Sequence, residues 1–516
     1  MAPTSAVFSR EHQKVIDDIN DQFQLPNESL ISITKAFLDE YSKGLSAYGH
    51  PMAMIPTFVT GTPDGTEKGT FLALDLGGTN MRVCEVNLRG DKTFTIRQQK
   101  YRVSDALKTG EARALFDYLA DSVDAFLSAE AQHADASESQ PKFVPLGLTF
   151  SFPVEQTALD SGKILTWTKG FAATNAIGND VVRLLQDAFD RKHLHVKCVA
   201  LVNDTVGALL SRAYASGGCT LGAIFGTGTN GAFMDDVSKI TKLGPNHPAI
   251  SRGGQMVVNT EWGAFNNSRT HLPSTPFDKT MDRQSINPGF QAFEKFISGM
   301  YLGEIVRHIL LALIDSAPQP ILFNGASTTS LNLQWGIDTS VMSDVEDAWG
   351  AGSTDGDPVL ETIVPNLEKL ESLKGDKVHE KLEKVRKIVV EKLGFKDEQV
   401  SVKDAAIVRW ACSLVARRAA LLSGIAVAAT LIQTEHAVLQ EGSTTAKPKK
   451  HTDRAIIGVD GSLIEFYPNY ERTLRESLRA LVGEEIEKKV DIGLAKDGSG
   501  AGAALCALQA IKNTTQ

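Results

Sequence analysis

Cysteine is scarce in this 516-residue sequence, and no two cysteines form a CxxC pair. The five thiols are odd in number and lack the spacing of metal ligands; they are Cys84, Cys198, Cys219, Cys412 and Cys506. Secreted disulfide frameworks use even sets of cysteines, and cysteine metal sites use short fixed spacings. We therefore expect free, mostly buried thiols and a cytoplasmic protein.

Long apolar runs are also missing. The most apolar stretch, Ala419 to Ile432, is shorter than the roughly 18–20 residues that a membrane-spanning helix needs, and Arg417 and Arg418 precede it. The first eight residues contain no apolar segment of signal-peptide type before Arg10 and Glu11. The sequence thus predicts a buried helix in this stretch, no signal peptide and no membrane anchor.

An excess of positive charge is absent as well, since 53 Lys and Arg residues face 62 Asp and Glu residues, for a formal net charge of −9. A nucleic-acid-binding protein normally has a basic face, so the composition argues against nucleic acid as a partner. The sequence has no GxxxxGK(S/T) phosphate loop and no GxSxG nucleophile motif. His193 and His195 have no cysteine or further histidine nearby, which disfavours a zinc site.

What the chain has is length and glycine-rich turns. Chains beyond about 250–300 residues usually divide, so we expect two domains of α/β type. A strand–turn–strand pattern surrounds Gly77-Gly78-Thr79-Asn80 and recurs around Gly226-Thr-Gly-Thr-Asn-Gly231, with Asn80 and Asn230 in equivalent places 150 residues apart. A weaker third copy is predicted at 455–467, around Asp460-Gly461-Ser462. The spacing indicates an internal duplication.

Glycines that follow a strand let backbone N–H groups approach phosphate oxygens. Gly226-x-Gly228-x-x-Gly231 also satisfies the dinucleotide-binding fingerprint, but that fingerprint should open a helix, whereas 232–237 has the pattern of a strand. A pair of glycine-rich hairpins that bind nothing is the plain alternative. The presence of two matched turns favours phosphate binding over the dinucleotide-binding interpretation and over hairpins that bind nothing.

Three polar residues have a chemical and a structural interpretation each. Asp75, before the first turn, could hold a water of a phosphate-bound Mg²⁺ or anchor the turn by hydrogen bonds. Asp204, after the apolar run 199–202, could accept a proton from a hydroxyl nucleophile or cap the following helix. Lys169 could neutralise a transferring phosphoryl group or simply lie at the surface.

Longer segments that are typical of one protein family occur together, in the same order as in that family, over essentially the whole chain. They are Leu74-Asp-Leu-Gly-Gly-Thr-Asn-Met-Arg82, Leu148-Thr-Phe-Ser-Phe-Pro-Val154, Leu165-Thr-Trp-Thr-Lys-Gly-Phe171, Val202-Asn-Asp-Thr-Val-Gly207, Ile224-Phe-Gly-Thr-Gly-Thr-Asn230, Asn259-Thr-Glu-Trp-Gly-Ala-Phe265, Asn287-Pro-Gly-Phe-Gln-Ala-Phe-Glu-Lys295, Gly299-Met-Tyr-Leu-Gly-Glu304 and Gly458-Val-Asp-Gly-Ser462. On these segments the chain resembles the hexokinase family. Details such as 54–65 and 495–500 are most similar to fungal glucokinases.

The resemblance implies a duplicated, actin-like (ribonuclease-H-like) α/β fold with two lobes and a central cleft. An N-terminal region at 1–215 would contain most of the small lobe, at about 70–206. A C-terminal region at 216–516 would contain the large lobe and a C-terminal helix that returns to the small lobe.

The resemblance also implies roles for individual residues. Asp204, Lys169 and Arg82 would be catalytic, with Asp204 as the base for the sugar hydroxyl. Residues expected to line the sugar are Ser151, Phe152, Pro153, Thr168, Lys169, Asn203, Asp204, Asn230, Glu261, Gln291 and Glu294. Residues expected around ATP are Asp75, Gly77, Gly78, Thr79, Asn80, Arg82, Gly226, Thr227, Gly228, Thr339, Ser343, Asp460, Gly461 and Ser462. Asp75 and Asp204 would approach Mg²⁺ through water. Met300 stands where some relatives have lysine, which puts one triphosphate contact in doubt.

The implied activity is ATP-dependent phosphorylation of glucose at the 6-hydroxyl, the first step of glycolysis, with mannose and fructose as further candidate sugars. A glucokinase is the favoured subtype, with a broad-specificity hexokinase as the alternative. A sugar sensor that kept the fold and lost turnover is a second hypothesis, although Asp204, Lys169 and both turns are intact. An actin- or chaperone-type ATPase is a third, although it would lack the sugar-binding segments. The expected partners are small molecules, with the protein as a monomer or homodimer.

Overall fold

The computed structural model describes residues 10–77, 80–131, 143–167, 170–350, 365–366, 377–441, 448 and 454–515. The strands are β1 (Ile55–Pro56), β2 (Lys68–Leu76), β3 (Asn80–Arg89), β4 (Phe94–Arg102), β5 (Val144–Phe150), β6 (Val154–Ala158), β7 (Ser161–Ile164), β8 (Val196–Val202), β9 (Leu221–Phe225), β10 (Thr229–Asp236), β11 (Gln255–Asn259), β12 (Ala455–Asp460) and β13 (Val490–Leu494).

The helices are α1 (Arg10–Phe23), α2 (Asn27–Ser46), α3 (Asp105–Thr109), α4 (Ala112–Ala131), α5 (Val181–Arg191), α6 (Asp204–Ser216), α7 (Pro248–Arg252), α8 (Pro276–Gln284), α9 (Ala292–Ile297), α10 (Gly299–Ile314), α11 (Thr329–Asn332), α12 (Thr339–Trp349), α13 (Lys377–Leu393), α14 (Val402–Gln433), α15 (Ser462–Phe466), α16 (Tyr470–Val482), α17 (Glu484–Glu487) and α18 (Gly498–Thr515).

Two sheets repeat one topology. The first has the order β4-β3-β2-β5-β8, in which β2, β3 and β4 run antiparallel and β5 and β8 run parallel to β2. The second has the order β1-β11-β10-β9-β12-β13, in which β9, β10 and β11 run antiparallel and β12 and β13 run parallel to β9. Apart from the short edge strand β1, the two orders correspond strand for strand. The duplication predicted from the two turns is therefore confirmed.

The central strand of the first sheet is buried on both faces. Its residues 71–76 are buried in succession, as expected for a strand covered by helices on both sides. Leu72, Leu74 and Leu76 pack with Leu115 and Leu119 of α4, while alternate residues of the strand pack with α18. The edge strand β4, by contrast, is mostly exposed.

The apolar stretch predicted as a buried helix lies within α14. The helix begins at a capping box in which Ser401 and Asp404 exchange hydrogen bonds, and it is long and apolar enough to cross a membrane. Its most apolar window is 89 % buried inside the protein. The prediction of a buried helix is confirmed, and α14 forms part of the core of the second sheet's lobe.

The prediction of a third strand–turn–strand copy is wrong. Residues 455–460 do form β12, but Ser462 begins the helix α15 instead of a returning strand. The physical reason is sheet topology: β12 already has β9 on one side and β13 on the other, so no hairpin partner can be added beside it. Its counterpart in the first half is β5, and not the β2–β3 hairpin.

Helices α6 and α18 cross between the two sheets at close range. A Cβ added at Gly207 would lie 2.5 Å from the carbonyl oxygen of Gly498, so the helix backbones touch where side chains would normally keep them apart. Ser211 of α6 also donates to the carbonyl of Lys496. This contact places the first residue of α6, Asp204, at the junction of the two sheets.

Candidate active site

The turns and strand ends that carry the predicted residues meet because parallel strands end at the same edge of a sheet. In the first sheet β2, β5 and β8 lead into Gly77, Ser151 and Asn203. In the second sheet β9 and β12 lead into Gly226 and Gly461. The fold therefore brings together predicted residues that are far apart in the sequence.

The first turn is closed by a hydrogen bond from the Gly77 N–H to the carbonyl of Asn80 (3.2 Å). Asp75 and Arg82 are direct neighbours on β2 and β3, and the Arg82 guanidinium lies 2.9 Å from Asp75 Oδ2. Asp75 is buried and Arg82 partly exposed, so the guanidinium is the more accessible partner of this ion pair. Gly78 and Thr79, also predicted to bind phosphate, lie outside the described residues.

The second turn is packed against two other segments. Gly461, whose φ is +115°, lies so close that an added Cβ would be 2.6 Å from the carbonyl carbon and oxygen of Phe225. The Gly299 N–H donates to the Gly226 carbonyl (2.8 Å), and the Met300 N–H donates to the Thr227 carbonyl (3.2 Å). Thr227 itself is exposed, which leaves its hydroxyl at the surface of the turn.

The two turns share one electrostatic environment through Asp460. Burial raises the pKa of this carboxyl, and the carboxylates of Asp204 and Glu465 raise it further. The Gly461 N–H, which donates to Asp460 Oδ1 (2.7 Å), and the Arg82 guanidinium oppose the shift. Residues from both sheets thus act on the same carboxyl, which indicates that Asp204 and Arg82 lie near Asp460.

Asp204 is the first residue of α6, and its neighbour performs the capping. Asn203 Oδ1 accepts from the Thr205 N–H (3.0 Å) and from the Thr205 hydroxyl (2.6 Å). Asp204 Oδ1 also accepts from the Thr205 N–H (2.9 Å). The capping role that the sequence allowed for Asp204 is therefore largely fulfilled by Asn203, whose remaining Nδ2 group is the part that could meet a ligand.

A network of amides orients Glu261. Asn230 Nδ2 donates to Asn259 Oδ1 (2.8 Å) and to Glu261 Oε1 (3.3 Å), and Asn259 Nδ2 donates to the same Glu261 oxygen (2.8 Å). Asn230 Oδ1 accepts from the Gly231 N–H and the Thr260 hydroxyl. Both amide hydrogens of Asn230 are therefore engaged within the protein, whereas the one hydroxyl proton of Thr260 is divided between Asn230 Oδ1 and the nearer Gly231 carbonyl (2.8 Å). Two amides donate to Glu261 Oε1, which holds it at a fixed place.

Sequence reasoning missed Asn259 as a site residue. It is buried at the end of β11, after the apolar residues Met256, Val257 and Val258. A buried amide needs partners, because burying an unsatisfied polar group is costly. An amide that ends an apolar strand, two residues before a predicted ligand, was the available signal.

Two predicted sugar-binding residues have left-handed backbone conformations. Glu261 has φ +56° and Gln291 has φ +54°, which is uncommon for residues other than glycine and is concentrated at functional sites. An added Cβ at Gly263 would lie 2.5 Å from Gln291 Oε1, so the Gln291 amide lies directly over this glycine. Glu294 Oε2 accepts from the Thr229 N–H (3.1 Å), which ties it to the second turn.

The segment after β5 contributes an aromatic cluster. Phe152 is buried, and its ring centroid lies 5.0 Å from Trp167 and 4.9 Å from Phe171. Ser151 is half-buried at the end of the strand, and the Pro153 carbonyl accepts from the Leu165 N–H. Thr168 and Lys169, predicted to bind sugar and phosphoryl group, lie outside the described residues.

Thr339 and Ser343 lie on α12. The Thr339 hydroxyl donates to the Gly299 carbonyl (2.5 Å) and accepts from the Gly303 N–H (2.9 Å), so it joins α12 to α10. Because Gly299 also contacts Gly226, this residue is linked to the second turn. Ser343 lies one helical turn farther along and is half-buried.

Comparisons with known proteins show the family of the chain. Sequence profiles of hexokinases match residues 15–214 and 220–509. The chain belongs to the hexokinase family. It is 40 % identical to a glucokinase from Aspergillus niger, with 96 % of each chain covered, and 37 % identical to glucokinase-1 from Saccharomyces cerevisiae, with 96 % of this chain and 97 % of the relative covered.

A solved structure of a relative shares the fold. The hexokinase from Schistosoma mansoni, complexed with glucose, is 34 % identical to this chain and superimposes with a TM-score of 0.77 over 97 % of this chain and all of the other. The predicted two-lobed, duplicated α/β fold is confirmed. We call the lobe built on β2–β8 the small lobe and the lobe built on β9–β13 the large lobe.

Proposed function

We propose that this member of the hexokinase family transfers the γ-phosphoryl group of ATP to the 6-hydroxyl of glucose, the first step of glycolysis. The observation that carries the proposal is the position of Asp204 at the head of α6. It follows β8, which runs parallel to β5 and β2 and ends at the same sheet edge as the first turn, and Asp204 and Arg82 both act on the carboxyl of Asp460.

A polyol is the substrate class that suits the polar residues of the large lobe. Glu261, Gln291 and Glu294 offer carboxylate and amide groups, and a site built for several hydroxyls rejects a ligand that lacks one, because buried polar groups are then left unpaired. Ser151, Asn203, Thr168 and Lys169 would supply further contacts from the small lobe. The bound glucose of the Schistosoma relative supports glucose as the sugar.

Phosphoryl transfer demands positioning, charge neutralisation and a base. Asp204 would take the proton of the attacking hydroxyl as general base. Arg82, beside the first turn, and Lys169 would balance the charge that develops on the transferred group. The backbone of Gly226, Thr227 and Gly228 would hold the phosphates, with 460–462 beside the nucleoside.

Magnesium would enter with ATP as part of the co-substrate. Within the described residues no cluster of three or more His, Cys, Asp or Glu side chains could hold a metal. Mg²⁺ keeps several waters and is usually held by substrate phosphates and one or two carboxylates. Asp75 and Asp204 would hold its waters. When bound, the ion would supply neutralisation of the triphosphate.

The favoured subtype is a glucokinase, with a broad-specificity hexokinase as the second candidate and a non-catalytic sugar sensor as the third. A coupled assay of kcat/KM for glucose, mannose and fructose separates them. A strong preference for glucose supports a glucokinase, and comparable values support a hexokinase. Glucose binding without turnover of any of the three sugars would contradict the catalytic proposal.

We further propose how the chain is divided into regions, in which cellular compartment the protein acts and which oligomeric state it has. The two regions would divide near 215 and 216, the protein would act in the cytoplasm, and it would be a monomer or homodimer. Light scattering with and without glucose measures the oligomeric state, and fractionation of cells measures the location.

A further inference from the structure

The loop that carries Gln291 is not held in place by burial. It joins α8 to α9, and two of its apolar side chains, Ile286 and Phe290, are 81 % and 65 % exposed. Gln291 itself has a left-handed backbone that costs free energy and persists only when its surroundings impose it. Something other than apolar packing must therefore fix this loop.

A buried ion cluster lies beneath the loop. Asp282, in the last turn of α8, accepts from Lys295 of α9 (2.7 Å) and from Arg269 (2.7 Å). The same carboxylate accepts from the Gly289 N–H at 3.2 Å, and Lys295 Nζ also donates to the Asn287 carbonyl (2.7 Å). Lys295 is 1 % exposed.

These bonds hold the loop backbone at two positions, Asn287 and Gly289, just before Gln291. A lysine buried this deeply carries a desolvation cost, and burial does lower the pKa of Lys295, with the Asp282 carboxylate opposing the shift. Helix α9, by contrast, is anchored by its own apolar residues, Phe293, Phe296 and Ile297. Removing the ion pair should thus release the loop more than the helix.

We propose that Asp282 and Lys295 are positioning residues for the sugar site, which hold the 286–291 loop so that Gln291 presents its amide over Gly263, beside Glu294. They act through Gln291 and touch no reacting atom. The proposal rests on the proposed function in that it takes the sugar to bind at Gln291.

The test is a double-variant cycle on sugar binding. Lys295→Met keeps the length of the side chain and removes its charge, and Gln291→Ala removes the group that it is proposed to position. Groups that act through one another give non-additive effects, whereas independent ones add. We expect Lys295→Met to raise the glucose KM and the calorimetric glucose Kd about tenfold and to change the ATP KM less than about twofold. In the Gln291→Ala background the same change should have little further effect.

Arg409→Met is the matched control. It breaks another buried ion pair of the large lobe, which joins Arg409 of α14 to Glu346 of α12 and lies away from the loop. It should lower the Tm without changing the glucose Kd. Asp282→Asn, which keeps an acceptor for the Gly289 N–H, serves as a milder variant if Lys295→Met folds poorly, and it should raise the glucose Kd by a smaller factor.

The positioning role would be overturned if folded Lys295→Met had an unchanged glucose Kd. It would also be overturned if the glucose Kd of the double variant rose by the product of the two single-variant factors. The outcome is separate from that of the proposed function, because titration of glucose needs no turnover. An unmodified protein that binds glucose and phosphorylates none of the three hexoses would refute the activity and leave this test valid.

Discussion

The two glycine-rich turns occupy equivalent places in the duplicated sheets and yet are held differently. The bonds described for the small-lobe turn are local, from Gly77 to Asn80 and from Arg82 to Asp75. The large-lobe turn is packed against Gly461, bonded to Gly299 and tied to Glu294 through the Thr229 N–H. The large-lobe turn is thus held by contacts with distant segments, whereas the bonds described for the small-lobe turn join residues of its own hairpin.

The largest effect should come from Asp204, which lies where the two copies meet. General-base catalysis contributes about 10²–10⁴-fold, so Asp204→Ala should lower kcat by at least about 100-fold. The fold should survive because Asn203 still caps α6. Steady-state kinetics measure the loss, and a Tm and a glucose-induced change in Trp167 fluorescence check folding. A folded variant that keeps more than about a tenth of the kcat would show that another group takes the proton.

The next largest effect should separate the two turns directly. Gly461→Ala forces a Cβ against the Phe225 backbone at a φ that favours glycine, with strain of about 1–3 kcal/mol. We expect the ATP KM to rise about tenfold or more. Gly77→Ala is the matched control, since its Cβ would lie 3.3 Å from the Asn80 carbonyl, a milder contact. Equal effects of the two substitutions would refute the difference between the turns.

A smaller effect should separate the phosphate end of the large lobe from its sugar end. Thr227→Val removes a hydroxyl from the exposed face of the turn, and a hydrogen bond to a charged group is worth about 1.5–3 kcal/mol. The ATP KM should rise about tenfold while the glucose Kd stays nearly unchanged. Asn259→Ala removes one of the hydrogen-bond donors to Glu261. It should raise the glucose Kd and leave the ATP KM nearly unchanged. If calorimetry showed glucose binding lost in Thr227→Val, the two ends would be wrongly assigned.

The smallest effect concerns Asp460, whose carboxyl is affected by charged residues from both halves of the duplication. Its pKa in the folded protein is raised above the ordinary value of about 3.9, so the native state holds more protons than the unfolded chain between the two values. The free energy of unfolding therefore falls as the pH rises through that window. Asp460→Asn should raise the Tm by a few degrees at neutral pH, and the gain should vanish below about pH 4.

Asp91→Asn is a control of opposite sign for this prediction. Hydrogen bonds from the Thr93 hydroxyl and N–H lower the pKa of Asp91, so its carboxylate stabilises the hairpin above the unfolded pKa. Thermal melts of both variants between pH 4 and 8 make the comparison. A Tm of Asp460→Asn below that of the unmodified protein at neutral pH would contradict the argued repulsion.

The sequence by itself determined the duplication and most of the candidate residues. Apolar runs on either side of the turns at Gly77 and Gly226 predicted two hairpins, because apolar patterning and turn chemistry are local properties. It failed at 455–467, because β9 and β13 already pair with the two sides of β12 and leave no place for a hairpin partner. Its pattern was local, and the prohibition came from β9 and β13, which lie far away in the chain.

Only the tertiary structure decided how those residues work together. The bonds from Thr205 to Asn203 and from Asn259 to Glu261 join residues two apart in the chain. Nothing local shows, however, that Asp204 lies at the junction of the lobes or that Asn230 reaches the same Glu261 oxygen. The left-handed backbones of Glu261 and Gln291 are likewise imposed by their surroundings. Such effects depend on contacts between residues from different elements, often far apart in the chain, and these exist only once both sheets and the helices between them have packed.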